Sequence, residues 1–577
     1  MGERDLEGGP PDPSPQWETI SRKEHDAEVA SSSSSSSEVD PSPLFLPILA
    51  AASTRRPSNA TGGTSRPESI WRERSNNGYG VEDLVDEADV GAAVEKEPTA
   101  EEKDPYEVGW DAGENDPMNP RGMPHWRKWS IIIITSFGAF IVTNASAAYT
   151  ATYDQMNAEF GNSRLVATIG LSTFVLGIAL GPFWSPLAEF YGRRPIYLAS
   201  FLAFMIWMIP SAVAQNIQTM LVARFFQGLA GSAFLSVSGG TVGDLFSRDK
   251  MQMPMAIFTL APFIGPSTGP LIGGITNSFA YWRWTHYIIL IESGVAIVIL
   301  FFFVPETYHP VLLARKAAAL RAETGDGRWK APLEKTSRSV ARTVGYSLLR
   351  PFQLLAYEPM CLILDLYSAI LLGLLYLFFG AFPLVFRNNH GFNLWQVGLT
   401  FMGLLIAMIV AAASTPFWHR VRDGLAERRR RISGGELKGE PEDQLPMVIL
   451  AAPLITGGLF WFGFTTYPSI HWIVPIIGSG VFGIGSCRTM LAFTGIFTFL
   501  VDAYPRYAAS ALAGNALVRC SFAAAFPLFG IQMYEGLGYQ WATGLLAFLT
   551  LVMMPFPYIF FVYGKRIRAR SRFAVNS

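Results

Sequence analysis

From about Trp129 onward, apolar runs of 19 or more residues recur with polar breaks between them. One such run is enough for a helix to cross the roughly 30 Å hydrocarbon layer of a bilayer. Twelve are predicted as helices, near 130–152, 165–187, 196–214, 217–239, 254–276, 285–304, 359–385, 396–418, 446–466, 473–500, 508–532 and 541–563. Proline and glycine interrupt several of them, which a packed bundle tolerates because its neighbours re-satisfy the freed backbone groups. Only two connections are long, 305–358 and 419–445, and the first divides the runs into six and six. The expected fold is an all-α membrane protein of twelve transmembrane helices in two pseudo-symmetric six-helix bundles. Composition agrees: the chain is 50% hydrophobic and only 16% charged, where a soluble globular protein carries about 25% charge.

The segment ahead of the first run is of another kind. Residues 1–125 hold 26 of the 46 acidic residues and 11 of the 45 basic ones, a net of −15, and the remainder carries +14. With its seven-serine run, Ser31 to Ser37, this segment cannot bury enough apolar surface to offset backbone entropy, so a disordered acidic tail is predicted. Its start, Met1-Gly2-Glu3-Arg4-Asp5, is acidic with no apolar core behind it, which predicts no secretory signal. The expected organisation is a cytoplasmic tail 1–125, a first bundle 126–304, a cytoplasmic central loop 305–358, a second bundle 359–563 and a basic tail 564–577.

Charge sets the direction. With both termini cytoplasmic, the inner breaks hold Arg193 and Arg194, Arg248 and Lys250, a basic stretch over 315–350, Arg428 to Arg431, and Lys565 to Arg572. The opposite side holds Arg164, Arg283 and Arg387. The positive-inside rule favours that orientation. Juxtamembrane position assigns these clusters to topology and to the lipid bilayer, with no nucleic acid as partner, and the four-arginine tract also suits anionic headgroups. A multi-pass protein of the plasma membrane is expected, with the vacuolar membrane as the alternative.

The break after the second run reads Ser185-Pro186-Leu187-Ala188-Glu189-Phe190-Tyr191-Gly192-Arg193-Arg194. A carboxylate, a turn glycine and paired arginines at a membrane edge can form a salt-bridge latch, since Gly192 permits a tight reversal and guanidinium groups bind carboxylates through two bonds. Asp244, at the end of the fourth run, is the expected partner. In the fifth run Gly265, Gly269 and Gly273 are spaced by four, share one helix face, and let another helix approach closely; Gly274 follows, and Pro266 and Pro270 add bends.

These stretches resemble the major facilitator superfamily in the form of its fungal twelve-span drug/proton antiporters. The loop ending in Arg193-Arg194 is similar to the signature between spans two and three. Arg224-Phe225-Phe226-Gln227-Gly228 resembles the fourth-helix motif, and Gly265-Pro266-Ser267-Thr268-Gly269-Pro270 through Gly274 the antiporter motif of exporters. Further matches are Asp116-Pro117-Met118-Asn119-Pro120, Trp282-Arg283-Trp284, Pro305-Glu306-Thr307-Tyr308, Val501-Asp502-Ala503-Tyr504-Pro505 and Gly538-Tyr539-Gln540-Trp541. The resemblance implies a multidrug or secondary-metabolite efflux transporter, not an enzyme, that alternates between inward-open and outward-open states. It implies a cytoplasmic gate of Glu189, Gly192, Arg193, Arg194 and Asp244 that stabilises the outward-facing state. Phe190 stands where many members place a basic residue.

Ionisable groups at membrane depth are costly unless paired or hydrated, and they usually line a pathway. The candidates are Arg224, Glu292, Asp365, Arg488 and Arg519, with Asn144 as a neutral polar contact. The resemblance places spans one, four, seven and ten around the cavity, which favours Arg224, Asp365 and Arg488. Proton coupling needs a carboxyl whose surroundings change, since burial and a neighbouring arginine shift a carboxyl in opposite directions. Asp365 is the first choice and Glu292 the second, Gly380 standing where many relatives have glutamate.

The expected partners are a small-molecule substrate, protons and the bilayer, with the chain acting as a monomer. No cofactor and no metal are expected: Cys361, Cys487 and Cys520 all lie in apolar runs, and the seven histidines lack ligand spacing. Gly478-Ser479-Gly480-Val481-Phe482-Gly483 spells a dinucleotide fingerprint inside an apolar run with no strand before it, so close-packed helix is expected instead. The pattern G-x-x-x-x-G-K-[ST] does not occur, which argues against an ATP-driven pump. An organic-acid or polyamine carrier and an uptake symporter are the nearest alternatives, and a non-transporting membrane sensor the alternative from another class.

Overall fold

The computed structural model describes residues 106–111, 113, 116–247, 250–335, 340–415, 417, 420–421, 424, 427–428, 431, 445–486 and 508–568. The serine run, Arg248, Cys487, Arg488, Asp502 and its neighbours, most of the 8–9 connection and the end of the basic tail lie outside them. Among the described residues ten helices are long and apolar enough to cross a membrane. Spans one to six are His125–Phe160, Arg164–Tyr191, Arg193–Ala212, Ile217–Leu245, Met253–Phe279 and Arg283–Phe303. Spans seven, eight, eleven and twelve are Pro359–His390, Leu394–Ala413, Ser510–Leu537 and Tyr539–Gly564. Two shorter apolar helices, Val448–Phe464 and Ile473–Ser486, stand in the places of spans nine and ten. The sequence order of twelve is thus kept, with the expected tenth helix described only as far as Ser486.

Backbone contact between helices follows from small residues. Spans two and four touch at Gly177 and Gly228, where a Cβ on Gly228 would lie 1.9 Å from the Phe174 carbonyl oxygen. The second half packs around an aromatic core: the rings of Phe378 and Phe382 both lie 5.3 Å from Phe462, and Phe378 lies 5.0 Å from Phe482. The glycines of the false dinucleotide motif are packing positions. A Cβ on Gly478 would meet the Phe462 amide at 2.7 Å, and one on Gly483 would meet Ala407 and Leu404.

Span one is not a single regular helix. Its α-helical part ends at Ala148, a 3-10 turn covers Tyr149–Thr152, and the helix resumes over Tyr153–Phe160. The interruption turns carbonyls of Ala145 and Ser146 toward the interior of the first half.

The central connection is structured. Helix α1 covers His309–Thr324 and helix α2 covers Val340–Tyr357, the latter packing on spans seven and eleven and on the end of span two. The expected unstructured tail ends earlier than residue 125. From Tyr106 the chain lies on the central connection, with Val108 donating to the Lys330 carbonyl at 3.0 Å and a small apolar core of Val108, Leu313, Ala317 and Ala331. The reason is local: Val108 and Trp110 add apolar surface that the acidic composition of the whole segment concealed.

Candidate functional site

Gly192 ends span two with φ +98°, and span three begins at the next residue. A helix start leaves amide N–H groups without partners and carries partial positive charge. Glu306, just after span six, supplies the acceptor: its carboxylate takes the amides of Arg193 at 2.8 Å, Arg194 at 3.3 Å, and Thr307 and Tyr308 at 3.0 Å. The Arg193 side chain, only 1% exposed, pairs through Nε with Asp244 Oδ2 at 3.1 Å and lies over the Tyr308 ring at 4.7 Å. Gly240 makes room for it, since a Cβ there would stand 2.5 Å from Arg193 Nη2. Arg194 points elsewhere and donates to the Phe301 carbonyl at 2.7 Å. Glu189 is buried within electrostatic reach of Arg193. His309 Nε2 meets the Asp244 carbonyl at 2.8 Å, tying helix α1 to span four. Arg193 and Asp244 meet, Glu189 lies within reach, Arg194 does not join them, and the carboxylate that organises the turn is Glu306. In the sequence Glu306 stands out only within the Pro305-Glu306-Thr307-Tyr308 match; its place directly after an apolar run is the signal that points to a helix-start acceptor.

Arg224 is fully buried, and among the described residues it has no acidic partner. Its guanidinium donates to the carbonyls of Ala145 at 2.9 Å, Ser146 at 3.2 Å and Gly170 at 3.3 Å, and lies over the rings of Tyr149 at 4.2 Å and Phe174 at 4.3 Å. It thus caps the broken end of the first α-helix, where the carbonyls of a helix C-terminus carry partial negative charge. Ser146 Oγ meets Tyr376 Oη at 3.0 Å, so this cap borders span seven of the other half.

The glycine face of span five lies against span one. A Cβ on Gly265 would meet Thr143 and the Asn144 amide, one on Gly269 would meet Ala147, and one on Gly273 the Ala148 carbonyl. Gly274 is different, because its neighbours are the Leu394 carbonyl and Gly398 of span eight, across the two halves. Asn144 is buried, and among the described residues neither of its side-chain polar atoms has a hydrogen-bond partner.

Asp365 is fully buried near the start of span seven. Asn515 of span eleven donates to its Oδ1 at 2.9 Å, Cys361 Sγ approaches Oδ2 at 3.5 Å, and Arg519 lies within electrostatic reach. Tyr376 lies within electrostatic reach of both Arg224 and Arg519, which links the two halves at this depth. Arg224 sits in the first half, Asp365 and Arg519 in the second, and Arg488 lies outside the described residues. Glu292 belongs with none of them. It is half-buried beside the exposed stripe Ile288, Ile291, Val295 and Val298, where span six presents this flank to the outside of the bundle, and among the described residues it makes no hydrogen bond or ion pair.

At the end of the bundle that carries the 1–2 connection, the halves meet directly. Asp154 and Arg387 form an ion pair, Ser172 Oγ donates to the Ala524 carbonyl at 2.6 Å, and a small cavity remains between Tyr153, Arg164, Phe379 and Phe401. At the same end Glu159 ties span one to the 5–6 connection and the start of span six, accepting from Trp282 Nε1 at 2.6 Å, from Arg283 at 2.9 Å, and from Tyr281.

The profile of the Major Facilitator Superfamily matches residues 135–527. The efflux pump atB of Aspergillus terreus is 52% identical over 462 residues, covering 80% of this chain and 89% of that protein. The probable drug/proton antiporter YHK8 of Saccharomyces cerevisiae is 38% identical over 495 residues, 84% of this chain and 94% of that protein. Among solved structures, the proton:xylose symporter XylE is similar with a TM-score of 0.54 at 15% identity, over 76% of this chain and 96% of that one, a likeness of fold alone. With two six-helix halves meeting across spans one, seven, five and eight, and that breadth of similarity, the chain belongs to the Major Facilitator Superfamily.

Proposed function

We propose that this chain is a secondary active transporter that exports a small organic compound in exchange for protons, by alternating access. The similarity to a fungal efflux pump over four-fifths of the chain carries the direction of transport. The buried carboxyl of Asp365, hydrogen-bonded between two helices of the second half, supports proton coupling. When such halves rock, the groups around a buried carboxyl change, and so does its affinity for a proton. Arg224 and Asn144 are assigned to the substrate side of the cavity, because Arg224 holds span one open at its break and Asn144 has unmet hydrogen-bonding capacity. Arg193, Asp244 and Glu306 are assigned to the cytoplasmic gate, with Glu189, Gly192 and Arg194 beside them.

The positive-inside pattern supports cytoplasmic termini; the plasma membrane is taken as the site of action, and the chain is taken to work as a monomer with halves 126–304 and 359–563. In that orientation the Asp154–Arg387 contact closes the outer end. The deciding experiment is reconstitution in liposomes with an internal pH dye. Export of a fluorescent drug must release protons from the opposite side, and Asp365→Asn must abolish that movement. Persistence of drug-dependent proton flux in the variant removes Asp365 from the mechanism. Unchanged cellular retention of the natural substrate after gene deletion removes the export reading itself.

A further inference from the structure

The two carboxylate oxygens of Asp365 face different surroundings, and this asymmetry supports an inference that rests on reading Asp365 as the coupling acid. Oδ1 is pinned. Asn515 Nδ2 donates to it at 2.9 Å and to Ser368 Oγ at 2.8 Å, and Ser368 Oγ donates to the Asp365 main-chain oxygen at 2.8 Å. Turning the Asn515 amide would exchange two donor bonds for a single acceptor, so its orientation is fixed while both partners stand.

Oδ2 has a looser setting. Its hydrogen-bonding neighbour is the Cys361 thiol at 3.5 Å, a weak donor. Its other flank is bounded by Gly514, where a Cβ would lie 3.7 Å from Oδ2, 3.6 Å from the Pro351 carbonyl oxygen and 3.6 Å from Leu355. Helix α2 therefore presents a carbonyl and a leucine there, span eleven presents Arg519, and span seven presents Cys361 with Glu358 acting on that thiol.

We propose that the coupling proton is carried on Asp365 Oδ2 and reaches it past Gly514 from the side of helix α2, while Asn515 keeps Oδ1 as a hydrogen-bond acceptor in both protonation states. One O–H bond forms, on Oδ2, from a proton delivered by water. The new hydroxyl then donates to Cys361 Sγ, and the thiol hydrogen rotates away. Because Asp365 is fully buried, the path opens only as α2 shifts off span eleven. Asn515 and Cys361 are positioning residues, and Gly514 controls access.

Infrared difference spectroscopy on the full chain in lipid nanodiscs, titrated over pH, tests this without a transported compound. The Asp365 carboxyl band is identified by its loss in Asp365→Asn, and the Cys361 S–H band by its loss in Cys361→Ala. The S–H band is expected to shift with the same midpoint as the carboxyl band. Asn515→Leu is expected to move that midpoint by about one pH unit, roughly tenfold in proton affinity. Gly514→Ala, whose methyl fits at ordinary contact distance, is expected to slow the rise of the carboxyl band after a pH jump. An S–H band indifferent to a titrating Asp365 overturns the assignment to Oδ2 and leaves the coupling role standing. An unchanged rate in Gly514→Ala overturns the access path. If Asp365→Asn removes no titrating band, the coupling role falls and this proposal with it.

Discussion

Asp154 at the end of span one and Arg387 at the end of span seven, 233 residues apart, hold a 2.6 Å ion pair that joins the two halves. Their side chains are 51% and 30% exposed, so solvent screens the pair and its contribution is about 1 kcal/mol or less. Neutralising Asp154→Asn should therefore shift the balance toward an open outer end by roughly fivefold at most. The charge-swapped double variant Asp154→Arg with Arg387→Asp should restore the balance. Spin-label distances between the outer ends of spans one and seven measure this. An unchanged distance distribution in Asp154→Asn would show that the other contacts between the halves, Ser172 with Ala524 and Gly274 with Gly398, hold that end closed without the pair.

The Gly192 turn makes a sharper prediction. Its φ of +98° is costly for any other residue, and a Cβ would lie 2.3 Å from Glu306 Oε2. That oxygen cannot give way cheaply, because the carboxylate holds four backbone amides. Gly192→Ala should cost about 1–3 kcal/mol through strain alone. Glu306→Gln should be milder than Glu306→Ala, since the amide oxygen still accepts some of those bonds. Thermal unfolding in detergent, followed by tryptophan fluorescence, ranks the three variants.

Arg224 allows a test of shape against charge. Lysine keeps the positive charge but lacks the planar fork that reaches three carbonyls at once. Arg224→Lys should therefore fold yet lose most export, whereas Arg224→Ala leaves the span-one carbonyls unpaired and should also lose about 1–3 kcal/mol of stability for each one stranded. Equal transport by the lysine variant and the parent would reduce the residue to a charge.

These particulars mark what the sequence could disclose. Run lengths and motif order were enough for twelve helices and for the Arg193–Asp244 meeting, because those depend on local periodicity and on charges near helix ends. The Arg224 set was hidden, since backbone carbonyls leave no trace in residue type and the break after Ala148 has no proline or glycine to announce it. Arg387 was legible as an outer charge, but its pairing with Asp154 was not, because pairing across halves is fixed by tertiary geometry. Asn515, a polar residue in an apolar run, was overlooked in favour of charged neighbours.

The strap over residues 106–119 should respond to acid. Lys316 Nζ on helix α1 donates to the Gly109 carbonyl at 3.0 Å and to Asp111 and Asp116 at 2.8 Å each, while Trp110 packs edge-on against His309 at 5.7 Å. Burial would push Asp116 up, but the Lys316 ammonium and the Met118 amide outweigh it and hold the carboxyl below its usual range. A depressed carboxyl stabilises the fold above the unfolded value of 3.8, and that stabilisation is lost as pH falls through the folded value. Burial, with Arg121 and Arg193 nearby, lowers His309 to about 4 from 6.5 despite its bond to the Asp244 carbonyl. Between those values the unfolded segment binds the extra proton, so the strap weakens progressively as pH falls from 6.5 toward about 4. Lys316 is raised by its two carboxylates against the effect of burial, so its share is complete below 10.5 and disappears only in strong alkali. Hydrogen–deuterium exchange over 106–124, corrected for intrinsic rates, should therefore accelerate in that acid window. Lys316→Ala should accelerate it already at neutral pH, and His309→Gln should remove the portion of the response between 6.5 and about 4 while sparing the portion due to Asp116.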